Sequence, residues 1–299
     1  MRIWRFVAVI FAVIATLVVM HILKPESDAI GFVAAPHIAR INIEGMIVDE
    51  KEYAEKILKL SENEKVKAAI IHVNSPGGTT VDSDLLYRAL RKVAETKPVV
   101  TQMHSVAASG GYIVAMASDY IIANGNTITG SIGVIMQTPN FSGLMENIGV
   151  EITEIKSSPL KGQPSPYNEL SEAAETNIKE MVKDTQDWFL QLVKTRRKMG
   201  AVHFEKATNG GIFTGRQAFK IGLVDSLGGE AEALAWLNKH HKIDKDIEII
   251  DINKPKDEPE NLFKAIFSSL MGHVFGYVLK NDQEKLLSVD GLHAVWQGI

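Results

Sequence analysis

Apolar residues in the middle of the chain recur with two different spacings. Short, almost continuous apolar runs predict buried strands at residues 41–43, 68–74, 98–103, 120–123 and 150–155. Apolar positions three and four residues apart predict helices at residues 53–60, 82–93, 110–117 and 170–199. Strands that lack a polar face are typical of a largely parallel sheet with helices on both sides. The pattern predicts an α/β fold, in which sites form beyond the carboxyl ends of the strands.

The N-terminal segment has a different pattern. Residues 6–23 contain no formal charge, Arg2 and Arg5 precede them, and Lys24 follows. About 20 apolar residues cross a bilayer, and the two arginines predict that the N-terminus stays in the cytoplasm while the rest is exported. A cleavable signal peptide is the alternative, but its apolar core would be shorter and small residues would mark a cleavage site. We expect an uncleaved, single-pass transmembrane anchor.

The C-terminal region follows a polar linker at residues 253–260. The apolar stretch at residues 262–279 is interrupted by Lys264 and His273, among others. It predicts an amphipathic helix on the membrane or on a partner subunit, with an ordinary packed helix as the open alternative. The predicted organisation is a cytoplasmic N-terminus (1–5), an anchor (6–23), a linker (24–37), a globular domain (38–252) and a C-terminal tail (253–299).

The amino-acid composition excludes several classes of chemistry. The 299 residues are 45% hydrophobic and 23% charged, which is typical of a globular protein. The net charge of -4 gives no indication of nucleic-acid binding. Cysteine is absent, which excludes disulfides, thiol nucleophiles, iron–sulfur clusters and cysteine-ligated zinc.

Three glycine-containing turns follow predicted strands, at residues 74–78, 105–112 and 129–134. Adjacent glycines leave backbone N–H groups exposed, and such groups at a helix entrance can stabilise an oxyanion. Ser109 lies at one of these junctions with small neighbours, where it could act as a nucleophile. Each turn also has a purely structural interpretation, namely a tight turn at residues 74–78 and a capping hydroxyl in the other two.

A serine nucleophile needs a base, and two candidates stand out. His104 lies close to Ser109 in sequence, and Asp82 or Asp119 could complete a triad with it. Lys161, in the predicted loop after residue 155, is the other candidate. A lysine acts as a base only in its neutral form, which burial in a dry site favours. The alternative for Lys161 is an ordinary solvated charge.

The motifs together resemble a known family. Asn74-Ser-Pro-Gly-Gly78, Ser105-Val-Ala-Ala-Ser-Gly-Gly-Tyr112, Thr129-Gly-Ser-Ile-Gly-Val134, the Lys156–Lys161 loop and the run from Phe213 to Asp225 occur in that order. This set, over residues 38–230, is similar to the signal peptide peptidase A (protease IV) family of bacterial membrane-bound serine proteases. The resemblance implies a ClpP/crotonase-type fold with a parallel sheet and repeated ββα units.

The resemblance also implies a Ser/Lys dyad that needs no metal or cofactor. Carried onto this chain, Ser109 would be the nucleophile and Lys161 the general base. Ser131 would position the lysine, and the N–H groups of Gly78 and Gly110 would form the oxyanion hole.

Assembly, substrate and location follow from the same resemblance. The chain has one copy of each motif and so resembles the short form, in which neighbouring subunits of a ring complete the dyad. We therefore expect a homo-oligomer such as an octamer. The substrates would be cleaved signal peptides and other extended apolar peptides. The catalytic domain would lie on the exported side of the bacterial cytoplasmic membrane.

Three alternatives share parts of this pattern. A SohB-type protease would have the same site and a different substrate. A crotonase-type acyl-CoA enzyme would use the same oxyanion turns, although an exported domain has little access to CoA. A catalytically inactive scaffold would lack the serine or the lysine, and both are present here.

Overall fold

The computed structural model describes residues 35–252, Lys254 and the strand His293–Val295. The strands in these residues are β1 (His37–Ile47), β2 (Val66–Thr79), β3 (Val99–Ala108), β4 (Tyr120–Ala123), β5 (Ile128–Gly130), β6 (Ile212–Thr214), β7 (Ser226–Leu227), β8 (Glu248–Ile252) and β9 (His293–Val295). The helices are α1 (Lys51–Lys59), α2 (Thr80–Ala94), α3 (Gly110–Ala115), α4 (Ser142–Asn147), α5 (Glu172–Arg196), α6 (Ala201–Ala207), α7 (Gly215–Ile221) and α8 (Glu230–His241).

One sheet contains all the described strands. Its main path runs β6-β5-β3-β2-β1-β8, with β4 beside β3, β7 beside β4 and β9 beside β2. All pairs are parallel except β5 with β6 and β2 with β9. Strand β3 pairs first with β4 and then, nearer its carboxyl end, with β5. The predicted mixed α/β fold with a parallel sheet is confirmed.

The core explains why the central strands are almost continuously apolar. Ile70 of β2, Val100 of β3 and Ile122 of β4 are fully buried and pack with Leu237 of α8 on one side of the sheet. On α2, Leu86, Leu90 and Val93 are fully buried at helical spacing. Because helices cover the sheet, its strands need no polar face.

The strand predicted at residues 150–155 is wrong. These residues belong to no strand, and Ile155 is 98% exposed. They lie in a segment that we call the arm, residues 135–170, in which Ser165 is the single buried residue and α4 contains none. A short apolar run predicts a strand, but among the described residues no strand lies beside this segment to pair with it.

The predicted membrane segments fall outside this description. No helix of the described residues is both long enough and apolar enough to cross a bilayer. The predicted anchor at residues 6–23 lies outside those residues, as does almost all of the predicted C-terminal tail.

Candidate active site

Ser109 lies at the sharp junction between β3 and α3. Its backbone has φ 54° and ψ −116°, a combination that only glycine adopts without strain. The Ser109 N–H donates to the Gly130 carbonyl at 2.9 Å, and the Ser109 carbonyl accepts from the N–H groups of Tyr112 and Ile113. The backbone is therefore held firmly in a conformation that a serine would not adopt alone.

The Ser109 side chain is not a helix cap. It makes no capping hydrogen bond, so the capping interpretation of this serine is wrong. The residue is fully buried, and Oγ has no hydrogen-bond partner among the described residues. A buried hydroxyl without a partner costs about 1–3 kcal/mol. Such a group is typical of a functional position, where a partner is supplied by a substrate or by another chain.

The end of β2 lies against this junction. The glycine turn predicted after residue 74 is in fact the last part of β2, where Ser75 pairs in register with Ala107 of β3. Gly78 packs so closely on β1 that a Cβ atom there would lie 1.9 Å from the Ile47 carbonyl oxygen. Gly110 is the buried first residue of α3.

Ser75 was not among the predicted site residues. It is fully buried, and its Oγ accepts a hydrogen bond from the Gly77 N–H at 3.1 Å. A serine two residues before a glycine is a recognised turn signal. That spacing could have drawn attention to Ser75.

Ser131 lies beside the same junction. It follows Gly130, the residue whose carbonyl binds the Ser109 N–H, and Ala108 and Gly130 are partners in the β3–β5 pair. Ser131 is half-buried, has a positive φ of 49°, and donates its N–H to the Gly211 carbonyl at 2.8 Å. The neighbouring Thr129 hydroxyl donates to the Ala107 carbonyl across the same strand pair.

Lys161 is placed differently. It lies in the arm and is exposed, with its backbone N–H on the Ser158 carbonyl at 3.2 Å. It does not hydrogen-bond to Ser109, whose hydroxyl has no partner within residues 35–252, Lys254 or the strand His293–Val295. The structure thus places the Ser109 junction beside Ser75 of β2 and beside Gly130, the residue before Ser131. Gly78 lies three residues beyond Ser75 on β2. The structure does not join Lys161 to Ser109 within the single chain.

The histidine triad is not assembled. The His104 Nδ1 lies 3.1 Å from the Ser105 hydroxyl rather than at Ser109. Asp82 accepts from the Glu50 N–H and from Thr79. Asp119 likewise accepts from the Val99 N–H and lies beside Arg91. Both carboxylates therefore have other partners, and neither orients His104.

Strand β9 shows how a main chain can lie at this site. The backbone of His293–Val295 pairs antiparallel with Gly77–Thr79, with Ala294 opposite Gly78. The carboxyl end of β2 therefore accepts an extended chain alongside Gly78. Within the described residues no cluster of three or more His, Asp or Glu side chains could hold a metal ion.

Comparison with known proteins identifies the family of this chain. The model of peptidase family S49 matches residues 91–244. The chain is 38% identical over 221 residues to the candidate protease slr0021 of Synechocystis sp., covering 73% of this chain and 80% of that protein. It is 33% identical over 265 residues to the chloroplastic serine protease SPPA of Arabidopsis thaliana, covering 85% of this chain but only 38% of the plant protein.

Among solved structures, a serine-to-alanine mutant of the 1510-N membrane-bound stomatin-specific protease superposes with a TM-score of 0.49 and 15% identity. The match covers 75% of this chain and 100% of that one. On the sequence matches, the chain belongs to peptidase family S49, the family of the signal peptide peptidase A serine proteases.

Proposed function

We propose that this serine peptidase is a membrane-anchored endopeptidase that uses Ser109 as nucleophile and Lys161 as general base. The observation that carries the proposal is the Ser109 side chain, which is buried at a strained strand-to-helix junction and has no hydrogen-bond partner in the described part of the chain. A backbone conformation that costs free energy is retained where function requires it. Family S49 membership supports the same reading.

The chemistry follows from these groups. Ser109 Oγ attacks the carbonyl carbon of a peptide bond while neutral Lys161 takes the hydroxyl proton. The N–H groups of Gly78 and Gly110 stabilise the oxyanion, and one such donor is worth about 10²–10³ in rate. Lys161 then protonates the departing amine as the C–N bond breaks. Water hydrolyses the resulting ester, which restores the Ser109 hydroxyl.

The base would come from a neighbouring subunit. Lys161 is exposed in this chain and does not contact Ser109. The arm that carries it also exposes Phe141, Leu144, Ile148 and Ile155, each by 45% or more. A concentration of exposed apolar side chains marks an interaction surface. Association of arms with neighbouring chains would cover this surface and bury Lys161 beside Ser131, in a homo-oligomeric ring such as an octamer.

The proposed substrates are extended apolar peptides, including cleaved signal peptides. The antiparallel pairing of His293–Val295 with Gly77–Thr79 supports this, because an extended main chain fits the strand that bears Gly78. The predicted anchor at residues 6–23 would hold the domain on the exported side of the cytoplasmic membrane, near such substrates. The proposed fold is a ClpP/crotonase-type arrangement of repeated ββα units. The proposed reaction uses no cofactor.

The test uses the full chain in detergent with a fluorogenic apolar peptide. Ser109→Ala and Lys161→Ala should each reduce kcat/KM by at least about 10³-fold, because each removes a group that acts in the transition state. Lys156→Ala is the matched control, since Lys156 lies in the same arm but pairs with Glu154, and it should keep the activity of the unsubstituted protein. Full activity in Lys161→Ala would show that the dyad is wrong, and His104→Ala would be tested next.

The shared site has a separate test. Ser109→Ala subunits retain Lys161, and Lys161→Ala subunits retain Ser109. Mixed assemblies of the two should regain part of the lost activity at interfaces where both groups are intact. Assembled mixtures that stay inactive would contradict completion of the dyad between subunits. A fluorophosphonate should label Ser109 in the unsubstituted protein, which an acyl-CoA enzyme would not show.

A further inference from the structure

Ser75 is the residue that touches both halves of the candidate site. It lies on β2 opposite Ala107, two residues before the nucleophile on the neighbouring strand. The register of the β2–β3 pair shifts between Val73 and Ser75. Ser75 therefore lies just beyond the point where the regular register of the β2–β3 pair is interrupted.

The Ser75 hydroxyl controls the glycine end of β2. Its Oγ accepts a hydrogen bond from the Gly77 N–H at 3.1 Å, across Pro76. Gly77 has a φ of 115°, a conformation that glycine adopts readily and that leaves the chain free to move if nothing holds it. The same hydroxyl donates to the Gly77 carbonyl oxygen at 3.5 Å. That carbonyl belongs to the same peptide group as the Gly78 N–H, so Ser75 contacts the peptide that projects this N–H.

The Ser75 backbone contacts the other half of the site. A Cβ atom on Gly111 would lie 2.7 Å from the Ser75 carbonyl oxygen and 3.4 Å from the Ser75 Cβ. Helix α3, which begins with Gly110, is thus packed directly on Ser75. One residue sets both the orientation of the Gly77–Gly78 peptide and the distance of that peptide from the nucleophile helix.

We propose that Ser75 is a positioning residue, which orients the Gly78 N–H group toward the oxyanion that forms at Ser109. The inference rests on the proposed function above and adds a residue that does not touch the substrate. Removing the Ser75 hydroxyl would remove its bonds to the Gly77 N–H and to the Gly77 carbonyl, and loss of the second would allow the Gly77–Gly78 peptide to rotate. A 1 Å misplacement in an active site costs about 10²-fold in rate, so a partial loss of alignment should cost about 10-fold.

Ser75→Ala in the full-length protein tests this. We expect kcat to fall about 10-fold with KM changed less than about twofold, because the oxyanion forms only in the transition state. A peptide aldehyde, whose hemiacetal oxygen occupies the oxyanion hole, should bind about 10-fold more weakly. The matching peptide alcohol, which forms no oxyanion, should bind as before.

The control is Ser118→Ala, which removes another buried hydroxyl, one that donates to the Ala115 carbonyl at 2.8 Å. It should lower the unfolding temperature and leave kcat unchanged. If Ser75→Ala does not fold, Ser75→Cys retains a weak acceptor of similar shape and should show a smaller loss of kcat.

A folded Ser75→Ala protein with unchanged kcat and aldehyde affinity would overturn the inference. So would equal losses of affinity for the aldehyde and for the alcohol, because these would indicate a general disturbance of the peptide groove. Failure of the proposed function is seen separately, as peptidase activity that persists in Ser109→Ala.

Discussion

The nucleophile junction and the arm differ in almost every physical property. At the junction, Ser109 and Gly110 are buried and held by backbone hydrogen bonds between strands. In the arm, α4 buries no side chain, and Ile155 is almost completely exposed. The predicted nucleophile lies in the first region and the predicted base in the second. The comparison shows that the proposed nucleophile is held rigidly inside the sheet, whereas the proposed base is exposed at the surface of the chain.

The two regions also use glycine differently. Gly78 and Gly111 allow backbones to approach more closely than any side chain permits, whereas Gly143 and Gly149 of the arm have open space around them. Close approach is needed at the junction, where β2 packs directly against β1 and α3. The arm has no such backbone contacts at these two glycines.

The largest expected effect is a difference in stability between two Gly→Ala variants, one in each region. Gly78→Ala places Cβ against the Ile47 carbonyl of the neighbouring strand, and neither backbone can move without breaking the sheet. We expect the free energy of unfolding of Gly78→Ala to fall by about 3 kcal/mol or more, and the variant to be inactive. Gly143→Ala, in α4 with nothing nearby, should leave the unfolding temperature unchanged or slightly higher. Thermal unfolding of both variants checks this, and equal effects would remove the contrast between the regions.

A smaller effect should reveal the strain at the nucleophile. Ser109→Gly relieves the backbone conformation at φ 54°, whereas Ser109→Ala retains it. Both variants lack the hydroxyl and should be inactive. We expect the glycine variant to be more stable than the alanine variant by about 1 kcal/mol, measured by denaturant unfolding. A glycine variant that is less stable would show that the junction is not strained.

The smallest effect concerns two lysine–glutamate pairs. Burial raises the pKa of Glu50, although Lys254 opposes the shift, whereas the hydrogen-bonded Lys156 lowers the pKa of Glu154 in the arm. The contribution of Glu50 to stability should therefore fall as the pH rises above the ordinary carboxyl pKa. That of Glu154 is present above the ordinary value and should be lost as the pH falls through its lowered pKa.

Unfolding midpoints measured between about pH 3 and pH 7 check the two signs. In the unsubstituted protein, the Glu50 contribution falls as the pH rises above the ordinary carboxyl pKa, and Glu50→Gln should abolish that fall. The Glu154 contribution grows as the pH rises toward the ordinary carboxyl pKa from below, and Glu154→Gln should abolish that growth. Shifts of the same sign in both variants would contradict the assignment of burial as the dominant influence on Glu50.

The fold was largely predictable because its signals are local. The alternation of apolar runs with helical spacing predicted β4 at its observed bounds and the long helix α5 within a few residues of its ends. The predicted strand at residues 150–155 failed because a strand also needs a partner, and the position of a partner is not written in local periodicity. The end of β2 was misassigned for the same reason, since glycine and proline predict a turn unless neighbouring strands pair with them, as β1 and β9 do here.

Residue types and their order along the chain were enough to predict the class of chemistry. The absence of cysteine excluded a thiol nucleophile, and the ordered motifs around Ser109 and Lys161 resembled one peptidase family, to which the chain belongs. These are properties of residue type and order.

Only the tertiary structure decided which groups meet. It placed Ser109 at a strained junction, with no partner for its hydroxyl among the described residues, packed Ser75 between Gly77 and Gly111, and left Lys161 exposed on the arm. The physical reason is that hydrogen bonds, burial and close packing join residues that are distant in the chain, and their geometry exists only once the strands lie side by side.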